Sequence, residues 1–177
     1  MGYTVKDLLE SNNFSEMQLI SDDSGIGREI KGVRIIEVPD MEKFLGGGEL
    51  LLTSMRAYEA TEEDVFLHHL KELDKKQISG FIVKCCQRTE HLKRLFDILM
   101  EFSQEHHLPV IEISEDLYFW GIIKHILLQL CDIETAKLKY FKMTHDNLSN
   151  ILLNVIDSRE SIERIFFLIS TMLGNPV

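Results

Sequence analysis

Three groups of side chains in this sequence invite chemistry, and their spacing decides how each is read. Gly46-Gly47-Gly48 has the composition of a phosphate cradle. A phosphate loop, however, follows a strand, opens a helix and ends on a Lys. This run instead precedes an apolar stretch and is followed by the anion Glu49, so it reads as a tight turn. His68-His69 and His106-His107 could offer imidazoles to a metal. Neighbouring helical residues point about 100° apart, and neither Glu-x-x-His nor His-x-x-x-His spacing occurs, so solvated or half-buried helix histidines are expected. Cys85-Cys86 would need a nearby base to become nucleophilic. His91 is the local candidate, and a structural thiol pair is the simpler reading. No Gly-x-Ser-x-Gly elbow or paired-carboxylate motif stands out. No catalytic residue, metal ligand or cofactor is therefore assigned.

A fourth group is more informative. Thr53, Ser54 and Arg56, then Lys84, Gln87 and Arg88, then Ser114 and Glu115 each follow a short apolar run. If those runs are parallel strands, all eight residues lie beyond the carboxyl ends, where open α/β sheets bind ligands. The plainer reading is that loops at strand ends are polar whatever they do. Thr53, Ser54, Arg56, Lys84, Gln87 and Arg88 are taken as the candidate ligand-binding set.

The elements that must position them follow from pattern. Thr4-Val5-Lys6-Asp7 has capping-box character and opens a short helix through Glu10. Ser15, with Gln18 three residues on, predicts a second short helix. Gly32 to Val38 is rich in β-branched residues and is closed by Pro39-Asp40. Leu50-Leu51-Leu52-Thr53, Gly80-Phe81-Ile82-Val83 and Leu108 to Ile113 are apolar throughout, as parallel strands covered on both faces must be. Between them, Val65, Phe66, Leu70 and Leu73, and then Leu92, Leu95, Phe96, Leu99 and Phe102, fall on helical faces. The fold class is therefore α/β: a small, mostly parallel βαβαβ sheet flanked by helices. A long C-terminal helical linker follows.

Beyond Asp116 the texture is helical. Ile122, Ile126 and Leu130 are placed to fold back on the sheet domain, with Trp120 and its aromatic neighbours as an anchor. Phe141, Leu148, Val155 and Ile162 recur every seven residues, eleven after Leu130, which is a stutter between two heptad stretches. Asp157-Ser158 is placed to interrupt this rod. A last helix is expected to end at Gly174, just ahead of Pro176. The narrow seam Phe141, Leu148, Ile151, Leu152 and Val155 suits a homodimer contact between helices. The expected organisation is an α/β domain over 1–116, a helical dimerisation segment over 117–157, and the start of a further domain over 158–177.

Composition narrows the partners. Of 177 residues, 29 are acidic and 19 basic, for a formal net charge of −10. Duplex and single strands are bound largely by Lys and Arg on phosphates, so this balance speaks against nucleic acid. It equally disfavours anionic lipid. The opening residues lack the basic flank and apolar run of a secretory signal. Gly121 to Cys131 is too short and too interrupted to span a bilayer. Three cysteines, two adjacent, make no disulfide framework. A reducing, cytoplasmic setting and no membrane partner are expected.

Several of these stretches together resemble a known family. Val33 to Val38-Pro39-Asp40, followed by Gly47-Gly48-Glu49-Leu50-Leu51-Leu52-Thr53-Ser54, is similar to the signature of the N-terminal domain of purine-catabolism-regulator (PucR-type) transcription regulators. Thr4-Val5-Lys6-Asp7-Leu8-Leu9, Gly80 to Lys84 and Leu108 to Ile113 resemble that domain's opening and its next two strands. Val38 stands where the family has Leu, and Ser54 where it has a second Thr. The resemblance covers residues 1 to about 120. It implies a bacterial regulator in which this domain precedes a helical linker, a GAF-like region and a helix-turn-helix. DNA would then be reached only through a C-terminal domain absent from this chain. The expected role is a non-enzymatic input domain that binds a small metabolite and signals through its C-terminal helix. The alternative is a module that only dimerises the regulator.

Overall fold

A computed structural model describes residues 2–11, 14, 16–36, 38, 41–84, 89–154 and 167. In chain order the elements are α1 (Val5–Glu10), β1 (Met17–Leu19), β2 (Gly32–Ile35), a 3-10 turn (Met41–Phe44), β3 (Glu49–Thr53), a second 3-10 turn (Arg56–Tyr58), α2 (Glu63–Lys75), β4 (Gly80–Lys84), α3 (Glu90–His106), β5 (Val110–Ile113) and α4 (Phe119–Asn154). The strands form one sheet in the order β1-β5-β4-β3-β2. The pairs from β2 to β5 are parallel, and β1 lies antiparallel on β5, with Met17 opposite Ile113. The expected α/β sheet is present.

Two expectations need correction. Met17–Leu19 is a strand, where the Ser15/Gln18 spacing predicts a helix. Three residues with a polar centre carry little preference of their own, and the open edge of β5 supplies the backbone partners that decide the matter. The predicted strand beginning at Gly32 ends at Ile35, although the Ile36 N–H still donates to the Leu52 carbonyl at 2.8 Å.

Alternation along the buried strands divides the core. Leu51, Phe81, Val83 and Val110 join Phe66, Leu70 and Leu73 of α2 and Leu92, Leu95, Leu99 and Phe102 of α3 in one cluster. Leu50, Leu52, Ile82, Ile111 and Ile113 are as fully buried and project from the opposite face. Val5, Leu8, Ile30, Ile122 and Ile126, all buried outside the first cluster, remain to cover that face. Each such Leu, Ile or Phe contributes about 1.5–3 kcal/mol, so the two layers dominate the stability.

Helix ends follow their side chains. The Thr4 hydroxyl accepts from the Asp7 N–H, and the Asp7 carboxylate accepts from the Thr4 N–H, closing the capping box on α1. Thr89 caps α3 by accepting from the Leu92 N–H. The chain divides into two compact units, Met1–Cys131 and Asp132–Val177. In the first, Tyr3 and Phe14 meet His125 of α4, the Tyr3 hydroxyl lying 3.1 Å from Nε2. Burial, with a smaller contribution from the Asp7 charge, pushes the Tyr3 hydroxyl up to about 12. Trp120 is 69% exposed, so Ile122 and Ile126, not Trp120, are the anchors. In the second unit, Leu138 and Phe141 are 68% and 72% exposed and Leu148 is half-buried. Ile151 and Leu152 lie in α4 with side chains outside the described set. Val155 and the predicted final helix lie outside the described residues, Phe167 excepted.

Candidate functional site

The carboxyl ends of β3, β4 and β5 converge on one depression of about 390 Å³, lined by Ser54, Arg56, Lys84, Glu115 and Asp116. Each strand delivers its part by a different device. After β3 the chain turns sharply at Met55, whose φ of +65° is in the left-handed region that non-glycine residues seldom occupy. The Thr53 hydroxyl holds that turn by accepting from the Met55 N–H at 2.9 Å. Arg56 then begins the short 3-10 turn. From β4, Lys84 reaches the depression directly, and its Nζ lies 5.6 and 5.8 Å from the ring centres of Tyr118 and Phe119. From β5, the turn leading into α4 supplies Glu115 and Asp116.

Of the eight polar residues picked out by pattern, Ser54, Arg56, Lys84 and Glu115 are brought together. Thr53 is buried and shapes the turn without lining the depression. The Ser114 hydroxyl donates to the Glu16 carboxylate. Gln87 and Arg88 lie outside the described residues, as do Cys85 and Cys86. Pattern reading missed Asp116 and the two rings beside Lys84. Their signal was a turn of acids and aromatics between the last strand and a helix.

A buried polar chain stands behind the Arg56 turn. His69 is 6% exposed, its Nε2 is 2.9 Å from the Tyr58 hydroxyl, and its Nδ1 is 3.0 Å from Glu42 Oε2. This corrects the expectation that the α2 histidines are solvated or half-buried; His68 is exposed, but His69 is part of the core. Burial, and secondarily the Glu42 charge, pushes the Tyr58 hydroxyl well above its ordinary value, so it stays protonated and can donate. With its ring proton on Nδ1, His69 accepts that bond at Nε2. His106 lies 3.0 Å from Asp74, and His107 lies 2.7 Å from the Ser24 hydroxyl.

The opposite, amino ends of the strands hold a larger depression, about 510 Å³, lined by the glycine run with Arg28, Lys31 and Lys76 among others. Its phosphate-cradle appearance is deceptive. The Glu49 carboxylate accepts from the Gly46 and Gly47 N–H groups at 2.7 and 2.8 Å, and the Gly48 N–H donates to the Gln77 carbonyl. Arg28 donates to the carbonyls of Ile78 and His106, both at 2.9 Å. The chain has placed its own anion where a phosphate would go. Gly47 and Gly48 have φ of +104° and +79°, which suit glycine, and a Cβ at Gly47 would lie 2.9 Å from the Lys76 carbonyl. The Gly-Gly-Glu part of the resemblance is thus a self-capped turn at the entry to β3.

Comparison with known proteins defines the class first. A model of the "Purine catabolism regulatory protein-like family" matches residues 7–130, and the chain belongs to that family. A particular relative is the "Purine catabolism regulatory protein" of Bacillus subtilis (strain 168), 23% identical over 174 residues. The match takes in 98% of this chain and 31% of that protein, so this chain spans about a third of its relative's length. Among the described residues no helix is long and apolar enough to cross a membrane.

Proposed function

We propose that this chain is the input domain of a cytoplasmic bacterial transcription regulator. It binds a small metabolite at the depression formed by Ser54, Arg56, Lys84, Glu115 and Asp116. Occupancy is relayed through α4 to DNA-binding elements outside this chain. One observation carries the reading: the turn that supplies Glu115 and Asp116 runs within three residues into Phe119, the first residue of α4. A ligand held by these carboxylates and by Lys84, beside Tyr118 and Phe119, bears directly on how that helix begins. Family membership supports the regulatory role, and no catalytic step is proposed.

The test is a thermal-shift screen of purines, ureides, amino acids and nucleotides, because a ligand that binds only the folded state raises the midpoint by mass action. One chemical class should raise it, and Arg56→Ala with Lys84→Ala should abolish the rise. A screen in which no class moves the midpoint would remove the sensing reading.

A second reading, assembly, is favoured by the exposed Leu138 and Phe141 on α4. Under it the chain is a homodimer through helices, with Phe141, Leu148, Ile151, Leu152 and Val155 at the seam. Light scattering should give a dimer mass that falls to the monomer in Phe141→Glu plus Leu148→Glu. A monomer at high concentration, or a dimer indifferent to those changes, counts against it. Neither reading gives the chain nucleic acid of its own, and a net charge of −10 predicts no salt-sensitive retention of duplex DNA.

A further inference from the structure

We infer that the depression at the carboxyl ends of the strands is a zwitterion site, selecting a small molecule of the amino-acid type that carries both a carboxylate and an ammonium group. The inference rests on the sensing reading above and narrows it to a ligand class. Arg56 and Lys84 stand at the ends of β3 and β4, while Glu115 and Asp116 follow β5. Two cations and two anions among the described residues therefore line one cavity. Among the described residues, none of the four forms an ion pair. Lys84 lies against the faces of Tyr118 and Phe119, a contact that steadies an ammonium without neutralising it.

Unpaired charges of both signs around one cavity sort ligands by charge. A simple carboxylate would be drawn to Arg56 and Lys84 but would face Glu115 and Asp116 across the same space. A simple amine would meet the reverse. A flat, uncharged heterocycle needs apolar walls, whereas the described residues that line this depression are Ser54 and four charged side chains. A zwitterion satisfies both poles, with its carboxylate on Arg56 and Lys84 and its ammonium on Glu115 and Asp116. Each contact is then a charge-assisted hydrogen bond, the stronger kind.

The experiment is titration calorimetry on the full chain. The probes are the free α-amino acids, β-alanine and γ-aminobutyrate, each paired with the acid lacking its amine, the amine lacking its carboxylate, and the N-carbamoyl acid. At least one zwitterion should bind about tenfold or more tightly than each of its three analogues. Glu115→Gln with Asp116→Asn should weaken that zwitterion about tenfold while leaving the matching acid unchanged or tighter, a reversal that misfolding cannot produce. Arg56→Gln with Lys84→Gln should do the converse, sparing the amine. If the acid or the carbamoyl compound binds as well as the zwitterion, the zwitterion assignment fails while metabolite sensing stands. If nothing binds from these probes or from the purine, ureide and nucleotide screen, both fail. Binding indifferent to all four substitutions would place the ligand elsewhere and overturn the assignment.

Discussion

The two ends of the parallel strands carry similar side chains to opposite purposes. At the amino ends, the larger depression has a glycine run, three cations and a nearby carboxylate, but its glycine amides and Arg28 are already committed to the protein, while Lys31 and Lys76 make no ion pair among the described residues. Glu49 occupies the Gly46 and Gly47 amides, and Arg28 is spent on two carbonyls. At the carboxyl ends the depression is smaller, yet Arg56, Lys84, Glu115 and Asp116 make no ion pair among the described residues. Size and composition therefore mislead. What separates the two ends is how far their glycine amides and charged groups already have partners. Removing a partnered buried group exposes the full desolvation cost of what it satisfied, whereas removing an unpaired surface charge costs the fold little.

Substitutions at the two ends should differ in proportion. The largest effect belongs to Glu49→Ala, which strands two amide donors beneath β3. About 3 kcal/mol of stability should be lost, lowering the melting midpoint by roughly 10 °C. A midpoint within about 2 °C of the parent would mean that the Glu49 contacts are incidental. Gly47→Ala comes next. Its positive φ and the Lys76 carbonyl at 2.9 Å should cost about 2 kcal/mol, measured by urea unfolding, and no loss would show that the turn relaxes freely.

A smaller effect sharpens the comparison at the strap that holds Arg28 in place. The Val5 N–H donates to the Arg28 carbonyl, and α1 depends on its cap. Thr4→Ala should cost about 1 kcal/mol. The Thr4 hydroxyl, and then its N–H, hold the Asp7 carboxyl below the usual carboxylate range. The unfolded chain therefore protonates first as the pH falls. Stability from this cap is present above the unfolded value, about 4, and is lost as the pH drops through the lower folded value. Asp7→Asn should flatten that acid limb of a stability-versus-pH curve, and an unchanged limb would refute the assignment. Smallest of all, Arg56→Ala with Lys84→Ala should move stability by no more than about 0.5 kcal/mol. A loss of several kcal/mol would show that the carboxyl end is scaffold too.

Much of this was legible from sequence, for reasons particular residues make plain. Leu50 to Leu52, Phe81 to Val83 and Val110 to Ile113 announce buried parallel strands because no polar residue interrupts them, except Glu112 near the end. From those strands, Ser54, Arg56, Lys84 and Glu115 follow as a group. Thr53 did not, because the alternation that buries Leu51 also turns Thr53 inward, where its hydroxyl serves Met55. β1 was unreadable because its three residues become a strand only against β5. His69 was misjudged because Tyr58 and Glu42, its partners, come from turns 11 and 27 residues earlier, and no local pattern links them.

The closing of the sheet's second face has a consequence for how the chain comes to be folded. Its edge strand β1 waits for β5, and Tyr3 meets His125, 122 positions later. Contacts so distant along the chain are slow to form, since most of the loop between them must be gathered first. During synthesis the strands β2 to β4 can begin to associate as they emerge, and residues 3–6 can pair with 26–30, but the face they help to cover stays open until the start of α4 has left the ribosome. A chain cut after Asp116 would retain all five strands yet lack Ile122 and Ile126. It should emerge with that face open and prone to stick to others of its kind, a hazard that a cut after Cys131 would avoid.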